Sequence, residues 1–426
     1  MTTTRALRNQ TFRRLFTAQI VALLGTGLLT VALGLLAYHL AGGSAGAVLG
    51  TALAIKMVAY VGVSPVMAAA TTRLRPRTLL IATDAVRATI ALALPFVESV
   101  WQIYVLVFLL QAASATFTPA YQAVIASVLT DEDTYTAALS LSRLAYDLES
   151  LVSPMLAAAL LTVVSYPALF VGTVAGFLSS ATAISLTRLP AAAAPNGHRT
   201  RFRDRALGGA HIMWTSTELR ALLALNVVVA SATALVVVNT VIYVRTLLDG
   251  DDRGLALTLA CFGGGSMLAA LALPRLLRLI SDRAVMLTGG AVCTGGLSAT
   301  TIFLVVTPAG AAGWIALCTL WTVIGAGASM INTPSARLLR RHSTEGNRSM
   351  VFTAQFSLSH AAFLLTYPIA GWVGAALGQV VAALSLAVLA TLATLAANAV
   401  WRRRGRDCHG TTTREAILAA AGQPDP

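Results

Sequence analysis

The chain alternates long apolar runs with short polar joints. A bilayer core about 30 Å thick needs roughly 20 mostly apolar residues per helix. Twelve runs reach that length, at 15-40, 45-70, 77-97, 100-124, 135-163, 167-188, 220-246, 254-277, 284-306, 312-335, 347-374 and 377-401. Each is predicted as a transmembrane helix, so the expected fold class is an all-α membrane protein with twelve spans. The longest polar interruption, 189-219, leaves six runs on either side. It predicts an N-terminal six-helix half at 1-188, a cytoplasmic linker at 189-219, a C-terminal half at 220-401 and a basic tail at 402-426. No polar stretch is long enough for a soluble catalytic domain, and an enzyme is not expected.

Composition agrees, with 57% hydrophobic residues, 11% charged residues and a mean hydropathy of +0.76. A formal charge of +13 could point to nucleic acid, but the arginines fall in alternate joints. Arg5, Arg8, Arg13 and Arg14 precede the first run, and Arg73, Arg75 and Arg77 follow the second. Further clusters surround Arg201, Arg278, Arg340 and Arg403, while the remaining joints carry almost none. This is a topology signal: an even number of spans with basic loops inside puts both termini in the cytoplasm. A multi-pass protein of the cell (cytoplasmic) membrane is expected, with the lipid bilayer, a small-molecule substrate and protons as partners, as a monomer and without nucleic acid. The first apolar run is too long for a secretory signal and reads as an uncleaved span. Cys261, Cys293 and Cys318 lie in spans and Cys408 in the tail, a pattern that suggests neither a disulfide framework nor a paired-Cys metal site. With no Gly-x-x-x-x-Gly-Lys loop, direct ATP drive is not expected, and no cofactor is implied.

Two segments repeat. "TPAYQAVIASVLTDEDTYTAALSLSRLAYDLESLVSP" starts at Thr118 and "TPSARLLRRHSTEGNRSMVFTAQFSLSHAAFLLTYP" at Thr333. Both run from Thr-Pro through a charged loop to a proline deep in the next span, and both contain Ser-Leu-Ser followed by Arg143 or His360. Parallel repeats of six spans characterise transporters whose site lies between two halves. With the "RTLLIATDAVRA" entry into span three, the organisation resembles the major facilitator superfamily. Within it, the chain is similar to bacterial exporters grouped with the enterobactin exporter and macrolide efflux proteins. The stretch "AQFSLSHAAFLLTYPIAGWVG" is also similar to a branch with nickel-resistance permeases. The resemblance implies the major facilitator fold, with spans two and eleven, and five and eight, meeting across the halves. Three departures stand out. The loop after span two has Thr72 where the family's Gly-x-x-x-Asp-Arg motif has its acid, Ser153-Pro154 replaces Gly-Pro in span five, and span four lacks the antiporters' arginine.

An ionised group in the bilayer core costs at least about 2.5–3.5 kcal/mol, so intramembrane charges are candidate functional residues. Asp147, Glu149, Arg143, Lys56 and His360 are the proton or substrate coupling candidates. Arg143 and Asp147 are i,i+4 and can neutralise each other. Glu149 points to another face, where Lys56, His360 or a proton could serve it. Lys56, the single lysine, is too deep to snorkel easily. A buried structural pair and a coupling charge are both open readings for it, as packing and relay are for His360. Asp84 and Arg87, i,i+3 near the inner end of span three, resemble the superfamily's acid and base and are gating candidates with Arg73. Gln19, Thr26, Thr30, Asn226 and Asn239 either line the cavity or bond between helices. The expected function is a secondary active, proton-coupled exporter of a small organic molecule, such as a drug, siderophore or metabolite, by alternating access and exchange for protons. A divalent nickel or cobalt exporter with His360 as soft ligand is the alternative, and a non-transporting sensor or scaffold the alternative of another class.

Overall fold

The computed structural model describes residues 6–63, 75–129, 131–187, 202–277, 279–306, 310–343 and 348–421. The regular elements in these ranges are helices: α1 Gln10–Ala41, α2 Ala45–Val58, α3 Pro76–Ala93, α4 Val100–Val128, α5 Glu132–Leu160 and α6 Pro167–Ser185. After α7 Phe202–Thr215, which falls within the expected linker, come α8 Thr217–Ile242, α9 Asp252–Leu276, α10 Asp282–Val306, α11 Gly310–Arg341, α12 Arg348–Pro368 and α13 Gln379–Ala421.

The helix starts are written in the sequence. Asn9 accepts from the Phe12 amide at 3.0 Å, Asp131 from that of Thr134 at 3.0 Å, and Asp251 from that of Gly254 at 2.8 Å. Each side chain satisfies an amide that the first turn leaves without a partner. Pro76 and Pro167 stand in the first turns of α3 and α6, where a missing N–H costs nothing. Gly42 ends α1 with φ +51°, a conformation other residues avoid.

Ten stretches among the described residues are long and apolar enough to cross a membrane. The first, Gln10–Val61, contains both α1 and α2, expected as two runs. The helix expected as the fifth run is present as α5 but is not among the ten, because Glu132, Asp133, Arg143, Asp147 and Glu149 dilute its apolar character. Large apolar side chains such as Phe96, Trp101, Leu268, Ile302 and Leu392 face outward, as a hydrocarbon surround allows.

Contacts run mainly within α1–α6 and within α8–α13. In the first group α1 packs on α5 and α6, and α3 on α4 and α6; in the second α8 packs on α12 and α13, and α10 on α11 and α13. The groups meet where α2 packs on α12 and α8, and where α5 packs on α9. These are the pairings that the family resemblance implies for spans two and eleven, and five and eight.

The α2–α12 crossing is close because it is made of glycines. A Cβ on Gly50 would stand 2.7 Å from the Tyr367 carbonyl oxygen, and one on Gly371 would stand 2.5 Å from that of Gly46. Only Gly allows backbone to approach backbone this nearly. Both partners also carry a π turn, Ala59–Val63 after α2 and Ile369–Val373 after α12. The extra residue in such a turn rotates the facing of the side chains beyond it. The first of the two contains Tyr60.

Candidate functional site

Lys56 lies in the last turn of α2, and its ammonium stands 5.9 Å from the centroid of the Tyr60 ring. Across from it on α5 is Glu149. Each of these two residues lies within the other's electrostatic reach. Glu149 has room there because α1 presents Gly27: a carboxylate oxygen comes within 3.3 Å of where a Cβ would stand, and Ser153 packs against the same glycine. Among the described residues, Glu149 is the carboxylate whose charge reaches Lys56. The side chains of Arg143 and Asp147 lie outside the described residues, as does Arg73.

The second group of helices contributes through α12. The His360 ring is 5.6 Å from that of Tyr60 and 4.0 Å from that of Phe356, centroid to centroid, and Phe356 meets Tyr60 edge-on at 6.2 Å. His360 Nδ1 is 2.7 Å from the Phe356 carbonyl oxygen of its own helix. Lys56, Glu149 and His360 thus surround one aromatic residue, Tyr60. Sequence reasoning misses it, although it stands one helical turn beyond Lys56, close enough for contact.

Beside Lys56 is a cavity of about 20 Å³, room for roughly one water molecule, bounded by Thr26, Thr30, Leu53, Lys56, Leu110 and Gln111. Thr26 and Thr30 donate to the carbonyl oxygens of Ala22 and Thr26 on their own helix, at 3.0 and 3.3 Å. Both threonines border this one-water void. The other three polar candidates tie helices together. Ser142 of α5 donates to Gln19 Oε1 at 3.0 Å; Asn226 and Gln355 exchange amide bonds at 3.2 and 3.1 Å; Asn239 donates to the Ala370 carbonyl and to Gln379 Oε1, at 3.1 and 2.5 Å.

Asp84 and Arg87 form a salt bridge in which the carboxyl is wholly buried. The guanidinium is held between two rings, with its centre 4.3 Å from the centroid of Phe117 and 4.5 Å from that of Phe177. This cation–π packing partly replaces lost hydration. The pair joins α3 to α4 and α6, and it is separate from the Lys56 cavity lining.

Two further clusters are built from residues that the sequence shows only as loop charge. Asp282 accepts from Arg341 at 2.7 Å and also pairs with Arg337. Its signal is the Asp282-Arg283 dipeptide, the acid-base step that the loop with Thr72 lacks. Arg253, at the start of α9, donates to the Leu161 and Thr162 carbonyl oxygens just past the end of α5, both at 2.8 Å. Around it opens a cavity of about 660 Å³ that also exposes Arg245, Asp251 and Asp252. Cys318 and Cys261 come into contact between α11 and α9, as free thiols.

The Arg253 contacts hold the two helix groups together at one end of the bundle. Each hydrogen bond to a charged donor contributes about 1.5–3 kcal/mol. In Arg253→Ala, that end should open, and a cysteine introduced as Thr162→Cys should react with a membrane-impermeant maleimide roughly 10-fold faster or more. Equal labelling with and without Arg253 would mean that the contact restrains nothing.

A helical bundle of this plan, with charges held at its central crossing, can be compared with known proteins. A model described as Major Facilitator Superfamily matches residues 15–308, more than half of the chain. The chain belongs to the major facilitator superfamily. It is accordingly a multi-pass membrane transporter. No curated protein matches its sequence. Among solved structures, a mutant of the nucleoside transporter NupG superposes with a TM-score of 0.70 at 10% identity, covering 92% of this chain and 100% of that one. A POT family transporter in complex with a thioalcohol-conjugated peptide gives 0.68 at 13% identity, over 90% and 94%. A bacterial homologue of the human lysosomal transporter Spinster, inward-facing and unoccupied, gives 0.67 at 10%, over 93% and 97%. At these identities the likeness concerns the superfamily fold and not the cargo.

Proposed function

We propose that the chain is a proton-coupled exporter of a small organic molecule, a drug, siderophore or self-made metabolite, working by alternating access. In this reading twelve spans form two six-helix halves, with both termini in the cytoplasm. The observation that carries it is that Lys56 and Glu149 lie within each other's electrostatic reach, with Tyr60 beside Lys56 and His360 beside Tyr60, where α2 of one half packs on α12 of the other. Charges in a bilayer core persist when they are paired and used. Opposite charges at the crossing of the two helix groups give a proton a place to act: protonating Glu149 removes the negative charge that Lys56 senses. Asp84 and Arg87 act in this reading as a structural and gating pair, with Arg73 at the inner loop, and Arg143 and Asp147 support the same helix. The exporter direction comes from the sequence resemblance.

A divalent-metal exporter is less well supported. Among the described residues, no three His, Cys, Asp or Glu side chains converge, and Lys56 sets a positive charge on the cavity.

The test is flux in inverted and right-side-out vesicles from a host expressing the chain, with labelled antibiotics, dyes, siderophores and metabolites. At least one compound should enter inverted vesicles faster than those lacking the protein, at a rate that changes with the sign of an imposed pH step. Rates equal to the control for every compound would sink the reading.

A further inference from the structure

We propose that Arg253, Arg245 and Trp372 are the outer gate of this transporter, three side chains of the second helix group that close the outer mouth by lying on the first, and that the structure is the form open toward the cytoplasm. The inference rests on the proposed topology, which sets the face that is outer, and adds the residues that must let go before that face can open.

Chain direction gathers these contacts on one face. Successive spans run in opposite senses, so the ends of α1, α5, α8 and α12 and the starts of α2 and α9 lie together. Arg253, at the start of α9, donates to the Leu161 and Thr162 carbonyl oxygens just past the end of α5, both at 2.8 Å. A helix end leaves its last carbonyls without an amide donor, and here the other helix group supplies one. Arg245 stands in a π turn, Tyr243–Leu247, that follows α8, and its guanidinium carbon is 5.6 Å from the centroid of the Tyr38 ring near the end of α1. Asp252 pairs with it and the Gly250 carbonyl oxygen accepts from it at 3.3 Å, so its own group aims it at the first. Trp372 stands in the π turn after α12 and donates through Nε1 to Thr51 Oγ1 of α2 at 2.8 Å. Two of the three gate residues are thus mounted on π turns, whose extra residue re-aims side chains that a regular helix would present elsewhere. Beside them Gly46 of α2 packs against Gly371 and against Val238 and Ile242 of α8.

The opposite face is organised within each group. Phe12, Leu15, Leu80, Ile125, Leu129 and Ile184 belong to a buried core drawn from the first group alone, separate from the large core to which both groups contribute. In the second group Asp282 pairs with Arg337 and Arg341, and Glu218 with His342 at 3.0 Å. Two groups that share a core and polar contacts at one face, while the first keeps a core of its own at the other, are arranged to swing as units about the shared region. The gate suits such a motion because none of its contacts is strong. Hydrogen bonds to a guanidinium, one indole bond and one cation–π contact are small enough to be exchanged for contacts that form at the other face. The cavity of about 660 Å³ around Arg253 is then the vestibule outside the gate.

The experiment measures two distances by pulsed electron resonance on the full chain in lipid, with Cys261, Cys293, Cys318 and Cys408 replaced by alanine. Spin labels on Val163→Cys and Leu257→Cys span the gated face, and labels on Leu186→Cys and Leu279→Cys span the other; all four positions are exposed. Without further change each pair should give one main distance. Arg245→Ala and Arg253→Ala should each add a longer distance to the first pair, shifting the ratio of closed to open forms roughly 10-fold, the size of one hydrogen bond to a charged donor. Trp372→Phe, which keeps the bulk and removes the indole N–H, should shift it less. In every variant the second pair should gain a shorter distance in the same proportion. Unchanged distances in all three variants would overturn the proposal. So would a first pair that lengthens while the second stays fixed, since that is local fraying and not a gate. A membrane-impermeant maleimide applied to whole cells separates this inference from the reading beneath it. Labelling of Leu186→Cys instead of Val163→Cys would reverse the proposed topology and make the gate an inner one. Absence of flux in the vesicle screen, with the two distances still coupled, would remove the exporter reading and leave the gate.

Discussion

Lys56→Gln is expected to lose stability and transport together, and the double variant Lys56→Gln/Glu149→Gln to regain the first without the second. Removing one of two opposite charges that face each other in a bundle interior leaves the other uncompensated, at a cost of up to about 3–5 kcal/mol for a contacting pair, whereas replacing both by neutral groups of similar shape costs little. Glu149 lies against Gly27 of α1 and within the electrostatic reach of Lys56, so removing Lys56 takes away the positive charge that faces it. The single variant should therefore unfold at lower temperature in detergent, by several degrees. The double variant should recover most of that loss while its flux stays at background, because neither of the two charges proposed to couple transport remains. A double variant no more stable than the single one would show that the two charges do not depend on each other.

Asp84→Asn should be as damaging to stability, for a different reason. Here the orphaned charge is a guanidinium enclosed by Phe117 and Phe177, with no surface on the carboxyl side through which water can replace the lost oxygen. A loss of about 3–5 kcal/mol is expected. Asp84→Leu combined with Arg87→Met, which removes both charges and keeps apolar bulk between the rings, should restore most of it. Thermal unfolding of the three proteins checks this. If Asp84→Asn melts with the native protein, the pair is not what joins α3 to α4 and α6.

Much of the fold is legible in the sequence because the bilayer simplifies the problem. Without water to satisfy the backbone, an apolar run of sufficient length has little alternative to a helix, and Asn9, Asp131, Pro76 and Pro167 mark where helices begin. The place of α5 is harder to read, since its charges lower its hydropathy below that of its neighbours, and the Ser-Leu-Ser repeat is what marks it. At the site, the intramembrane charges announce themselves by their cost. What joins them does not. Tyr60 is an ordinary aromatic in an apolar run, and only the packing of α2 on α12 shows that it touches both Lys56 and His360. Gln111 carries no charge and therefore no signal of cost. Arg253 reads as an outward loop charge until its two carbonyl partners beyond another helix are visible. The amides Asn226 and Asn239 illustrate the reverse case, because polar groups in spans attract attention but here serve to join α8 to its neighbours.

The most direct test of the account is to measure proton movement and substrate flux together in proteoliposomes holding either the native protein or Glu149→Gln. The account predicts protons moving in a fixed ratio with substrate in the native protein, and tracer exchange without net proton movement in Glu149→Gln. Proton movement that continues at the native ratio in Glu149→Gln would contradict it.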